Sequence, residues 1–272
     1  MKISLSISLL LLIFGSASAQ KKVCRALAMS GGANRGAYEA GVNYGLAHLL
    51  PLEEVQYDVV TGISAGSVNA FAMSLWSVED SVKMTEWVVD MWRNLTSEDV
   101  YQMWPGGFEQ GLANESGLLD DSPLLTYISN VASQFSGFKR KITVGSVDVN
   151  TGDFKTFSED SDYKDFPRRV VASASIPVVF PHMQIDNMTL VDGGARYMVN
   201  VASAVERCME EVDDQSQITV DVSYCFGIEL DHINYTSGSA ITNYLRYFYL
   251  AAWNKFMDDF TETQKAFPNV NY

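Results

Sequence analysis

Apolar and polar residues alternate with two different periods along this chain, and the switches between them lay out a succession of strands and helices. A buried run over Val23–Met29 leads into the glycine-rich Ser30–Gly36, and from Ala37 to Leu50 apolar residues recur at helical spacing up to Pro51. Tyr57–Ile63 reads as a short buried strand, and a helix of small residues opens at Ala65. Val82, Trp87, Val88, Met91 and Trp92 fall on one face of an amphipathic helix over 78–92. From Asn94 to Asp121 no period holds and Gly and aromatic residues dominate, which predicts a long loop: a lid, a wall of an acyl groove, or a packed surface excursion. Asp121-Ser122-Pro123 has the cap-then-proline pattern of a helix running to about Phe135.

Further along, Lys141–Val149 and Phe154–Phe157 are strands turned by Asn150-Thr151-Gly152-Asp153, and Arg168–Ser173 is a short helix stopped before Pro177. Met183–Ile185 and Thr189–Val191 flank Asp186-Asn187 as a hairpin that delivers Asp192-Gly193-Gly194. Ile218–Cys225 is the last clear strand. The tail from Ala240 to Phe267 is helical and crowded with aromatic residues, among them Tyr247, Phe248, Tyr249, Trp253, Phe256 and Phe260, for which core packing and lipid contact are the two uses. Strands alternating with helices predict an α/β sheet covered by helices.

Two stretches carry chemistry. Gly62-Ile63-Ser64-Ala65-Gly66 is a G-x-S-x-G set between a strand and a helix, the arrangement that forces a serine hydroxyl out above a sheet as a nucleophile. Ser30–Gly36 is a glycine loop between a strand and a helix, where free N–H groups and the helix dipole make an anion cradle. The G-x-G-x-x-G and G-K-[ST] spacings of nucleotide sites are absent, so with a nucleophile on the next strand the better tenant is the oxyanion of acyl transfer.

Composition adjusts this picture in three places. The first twenty residues, with Lys2, the apolar stretch Leu9–Phe14 and the small residues Ala17-Ser18-Ala19, read as a signal peptide over 1–19. The remaining 20–272 then form a single domain, secreted or lumenal, in which Asn94, Asn114, Asn187 and Asn234 are sequon acceptors for glycans. Cys24, Cys208 and Cys225 allow at most one internal disulfide and leave an odd thiol. A formal net charge of -14 points away from nucleic acid, and no His/Cys/Asp/Glu cluster has metal-ligand spacing, so neither a metal nor another cofactor is expected.

In chain order, Gly31-Gly32-Ala33-Asn34-Arg35-Gly36, Gly62-Ile63-Ser64-Ala65-Gly66 and Asp192-Gly193-Gly194 resemble the patatin-like phospholipase family, with its G-G-G-x-[RK]-G loop, G-x-S-x-G elbow and late D-G-[GA]. The segment Ala172–Pro181 is similar to the family's sequence ahead of its aspartate, and the likeness runs from about Val23 to about residue 205. It departs at Ala33, which stands in the place of the third glycine and can serve through its N–H if its φ is negative.

The resemblance implies a three-layer α/β/α sandwich with a central, mostly parallel sheet, and hydrolysis of acyl esters of phospholipids or other lipids without a metal. It assigns Ser64 as nucleophile, Asp192 as base, and Gly31, Gly32 and Ala33 as oxyanion donors, with no catalytic histidine. Of the three histidines, His48, His182 and His232, only His232 follows Asp192 as a conventional triad requires. For Arg35 two uses are open, contact with a headgroup phosphate and a structural ion pair within the loop. The expected partner is a lipid, met in transient contact with a membrane or micelle surface. A soluble esterase or thioesterase, and a non-catalytic lipid-binding or storage protein of the same fold, are the rival functions.

Overall fold

The computed structural model describes residues 23–227, 229, 230, 232, 233 and 238–272; the expected signal peptide and the Asn234 sequon lie outside them. Seven strands form one sheet: β1 (Cys24–Met29), β2 (Val59–Ile63), β3 (Lys141–Asp148), β4 (Phe154–Ser158), β5 (Met183–Ile185), β6 (Met188–Asp192) and β7 (Ile218–Ser223). Its order is β5-β6-β3-β2-β1-β7, with β4 also paired to β3. The run β3-β2-β1-β7 is parallel throughout, while β4, β5 and β6 join by antiparallel pairs.

Eight α-helices flank it among the described residues: α1 (Gly36–Leu49), α2 (Ala65–Ser74), α3 (Ser81–Asn94), α4 (Gly107–Ala113), α5 (Ser122–Ser133), α6 (Phe166–Ala174), α7 (Val201–Met209) and α8 (Ala240–Ala266). The strand period sorts the core into two layers. Leu27, Met29, Val60, Ile142 and Val144 pack under α1, α2, α3, α5 and α6. Cys24, Ala26, Ala28 and Val59, one position out of phase, face α7 and α8. This is the mixed, mostly parallel α/β/α arrangement that the sequence predicts.

On the second face Cys24 in β1 is bonded to Cys208 in α7, and Cys225 is the free, buried thiol. The C-terminal end returns to the sheet, where Asn271 pairs beside Thr219 along the outer edge of β7. Such a cover protects backbone groups that an open edge strand leaves unpaired.

The stretch 94–121 differs from the expected loop. It contains α4, is closed on itself by a bridge between Gln102 and Asp120, and is pinned to the body by one from Gly117 to Val178. Trp104 donates its indole N–H to the Gly117 carbonyl at 3.0 Å. Gly107 and Gly111 hide the helix from a propensity reading, since glycine costs about 1 kcal/mol in a helix interior.

Candidate active site

Strand register brings the two central side chains together. Along β3, Gly145 lies opposite Ile63, the last residue of β2, and the next residue, Ser146, lies opposite Asp192, the last residue of β6. Ser64 and Asp192 therefore leave the sheet at neighbouring points. Gly193 lets the chain cross there, because a Cβ on it would stand 2.3 Å from the Gly145 carbonyl oxygen.

Ser64 forms the turn between β2 and α2 with φ 53° and ψ -122°, a conformation that L residues rarely adopt. The strain sits on the serine itself. Its flanking glycines serve close approach instead: a Cβ on Gly62 would lie 2.1 Å from the Gly66 oxygen, and one on Gly66 would lie 2.5 Å from the Met29 oxygen. Surrounding bonds hold the turn. The Ser64 N–H donates to Ser173 Oγ at 3.1 Å, and that hydroxyl donates on to the Gly145 carbonyl at 2.6 Å. Ser67 Oγ donates to the Ser64 carbonyl at 2.6 Å. Because α2 is buried along all ten residues, the whole assembly is anchored in the core.

The Ser64 and Asp192 side chains line the same cavity, and the Ser64 side chain favours the ionised form of the Asp192 carboxyl. Asp192 accepts the Gly194 N–H at 2.7 Å, and its own N–H donates to the Ser175 carbonyl at 2.9 Å. Burial pushes the Asp192 carboxyl up from 3.8 to about 6, against the opposing pull of the Ser64 side chain and of the Gly194 N–H. That makes it a stronger base than an ordinary aspartate and still ionised at neutral pH.

The glycine loop borders the same space, with one of its three expected donors already engaged. The Gly31 N–H donates to the Met198 carbonyl at 2.9 Å, so it is not free for an oxyanion. Gly32 and Ala33 N–H groups bond nothing among the described residues. Ala33 has φ 51°, so the condition of a negative φ for its use as a donor is not met, yet its N–H stays unengaged among the described residues in the left-handed turn. A loop built for glycine imposes its left-handed turn on the alanine. Beneath the loop, fully buried Glu39 accepts the Ser30 N–H at 3.0 Å and the Asn69 amide at 3.2 Å. Burial raises the Glu39 carboxyl to about 8, so it is a neutral acid at pH 7.

Ser64 and Asp192 line a cavity of about 540 Å³, within the usual range for small-molecule sites. The glycine loop and Ile176-Pro177-Val178 form part of its wall; Met198, Phe226 and the α8 residues Tyr247, Phe248, Tyr249, Ala252 and Lys255 form another part. No residue of 94–121 lines it, so that stretch is not a groove wall. Arg35 does line it, with its guanidinium 4.6 Å from the centre of the Phe226 ring.

His48, His182 and His232 are exposed and stand outside the cavity lining, and His48 bonds Tyr44 and Glu86 on the surface. Asn94, Asn114 and Asn187 are exposed as well. No group of three or more His, Cys, Asp or Glu among the described residues could hold a metal.

The model of the patatin-like phospholipase domain matches residues 27–205, about two-thirds of the chain, and the match takes in the glycine loop, Ser64 and Asp192. The chain belongs to the patatin-like phospholipase family. No curated protein gives a significant match. Among solved structures, VipD from Legionella pneumophila is similar over 64% of this chain and 46% of its own, at 10% identity and a TM-score of 0.35, so this chain spans about half of that one. The α8 wall of the cavity falls beyond the part matched by the patatin model. Sequence reasoning missed that wall and the support from Ser173, Ser175 and Met198. Ser173 and Ser175 lie inside the family-like segment 172–181, which was the one available signal for them.

Proposed function

We propose that this patatin-like protein hydrolyses acyl esters of phospholipids or related lipids through a Ser64/Asp192 dyad and an acyl-enzyme. The observation that carries the reading is Ser64 at a strained turn with the buried Asp192 carboxyl lining the same mainly apolar cavity. Ser64 Oγ attacks the ester carbonyl carbon as its proton passes to Asp192. The carbonyl oxygen becomes an oxyanion held by the Gly32 and Ala33 N–H groups, with the positive end of the α2 dipole beneath the nucleophile. Collapse of the intermediate expels the alcohol, which takes the proton from Asp192. Water then attacks the acyl-enzyme, giving its proton to Asp192, and the fatty acid leaves as Ser64 is restored.

Neither a metal nor a histidine takes part in this scheme. Arg35, on the cavity wall, meets a headgroup phosphate, and contact with the membrane or micelle surface is transient. The protein acts outside the cytosol, after removal of a signal peptide ending near Ala19, and carries glycans on its exposed sequons. The Cys24–Cys208 bond supports that address, because structural disulfides persist in oxidising compartments.

The test is turnover of one lipid substrate by five variants, with circular dichroism to verify folding. Ser64→Ala should lose nearly all activity, and Asp192→Asn about 10²-fold or more, the range of a positioned general base. His48→Gln, His182→Gln and His232→Gln should each keep most of it. A histidine variant as inactive as Ser64→Ala would refute the dyad.

A further inference from the structure

We propose that Val178, Tyr247 and Phe248 form a lipid-docking face around the mouth of the active-site cavity; this rests on the acyl-hydrolase reading. These three large apolar residues are 66%, 67% and 56% exposed, and all three line the cavity. They come from separate parts of the chain, Val178 from the segment after α6 and the aromatic pair from α8. Val178 is held outward at a cost. Its φ of 73° is unfavourable for a β-branched residue, and the turn is kept by Leu118 and Leu119 N–H groups donating to the carbonyls of Val178 and Val179 at 2.9 and 3.0 Å.

On α8, Tyr247-Phe-Tyr-Leu-Ala-Ala252 is apolar around the whole helix circumference, a pattern that demands cover on every side. The protein supplies only part of that cover: Phe226 packs edge-on against Tyr249, and Ala252 is buried, while Tyr247 and Phe248 stay outside. Charge follows the same division. In a chain of net charge -14, the cavity lining includes Arg35 and Lys255 and no carboxylate besides Asp192. A rim of aromatic and aliphatic side chains with nearby cations suits the boundary between headgroups and acyl chains. A protein seated on this rim would close the route to Ser64, whereas a lipid surface occupying it delivers the ester to the cavity.

The experiment measures co-sedimentation with phosphatidylcholine vesicles in a Ser64→Ala background, so that binding is read without turnover. The Ser64→Ala protein should bind, and adding Tyr247→Ser and Phe248→Ser should weaken partition by about tenfold or more, given the apolar area withdrawn from lipid. As a control for general stickiness, Leu49→Ser with Leu50→Ser removes an exposed pair at the far end of α1, 84% and 41% exposed, and should change nothing. Fluorescence of Phe248→Trp in the same background should be quenched by brominated phosphatidylcholine. No binding, binding unaffected by the aromatic substitutions, binding lost with the leucine pair, or an unquenched Trp would each overturn the docking face. So would an aromatic variant whose main effect is a changed oligomeric state in sedimentation velocity, which assigns the patch to a second copy. Hydrolysis of a monomeric short-chain ester by the unmodified protein tests the catalytic reading separately.

Discussion

Replacing Ser64 by glycine should leave the protein more stable than replacing it by alanine, the reverse of the usual order. Both changes delete the hydroxyl, so the two variants differ by a Cβ alone. At an ordinary helical position glycine is worse than alanine by roughly 0.5–1 kcal/mol. Ser64, at φ 53° and ψ -122°, lies where a side chain costs on the order of 1–3 kcal/mol. Glycine relieves that cost against about 0.4–1 kcal/mol of extra unfolded-chain entropy. The balance favours glycine by about 1 kcal/mol or somewhat more, which for a protein of this size corresponds to roughly 2–4 °C in Tm. Equilibrium urea unfolding measures the difference. Ser67, one turn into the same helix with ordinary helical backbone, provides the internal control: there alanine should be the more stable replacement. Glycine no more stable than alanine at position 64 refutes the strain, and neither Ser64 variant should hydrolyse lipid.

Because the dyad needs Asp192 ionised and burial raises that carboxyl to about 6, kcat/KM should fall about tenfold per pH unit below pH 6 and level off above pH 7; a profile flat to pH 4 refutes this role. Ala33→Gly leaves the N–H in place and removes a left-handed alanine, so it should raise stability by about 0.5–1 kcal/mol and keep turnover within about threefold, both checked on the same preparation. Glu39 has a folded value near 8 against an ordinary 4.5, so the folded state holds an extra proton between these values, and stability from this group is lost as pH rises from 4.5 through 8. Glu39→Gln should escape that loss, its urea midpoint gaining on the unmodified protein from pH 5 to pH 8; midpoints that run parallel count against it.

Much of the fold was legible because its signals are local. Buried runs at 24–29, 59–63 and 141–148 are short and bounded by turn residues, the last two rich in β-branched residues, and the glycines at 62, 66 and 193 turn out to stand at close backbone approaches. Ser64 was legible from its own strand, turn and helix, whereas Asp192 was singled out through the likeness of Asp192-Gly193-Gly194 to the family's late motif. What escaped was set by distance. The Gly31 N–H is engaged by Met198, 167 positions away, and nothing near Gly31 announces it. Cys24 had two possible partners, and the choice of Cys208 over Cys225 follows from α7 lying against β1 on the second face. Helix α7 went unread although Val201, Ala204, Val205 and Cys208 recur at the spacing of one helix face, and α4 is masked by its glycines. The aromatic tail divides between the two uses open to it: Phe256 enters the core, while Tyr247 and Phe248 remain outside at the cavity rim.

The bond between Cys24 and Cys208 spans 184 residues, and both members of the dyad lie between its ends. Any single backbone cut between Ser64 and Asp192, including one in the surface segment 94–121, separates the two along the chain yet leaves the two pieces covalently joined. A protease-nicked molecule would therefore run as one band on a non-reducing gel and as two after reduction. The pairing of β2 with β3 across such a nick would still hold the serine beside the aspartate, so an intact primary chain is not a condition for an assembled site.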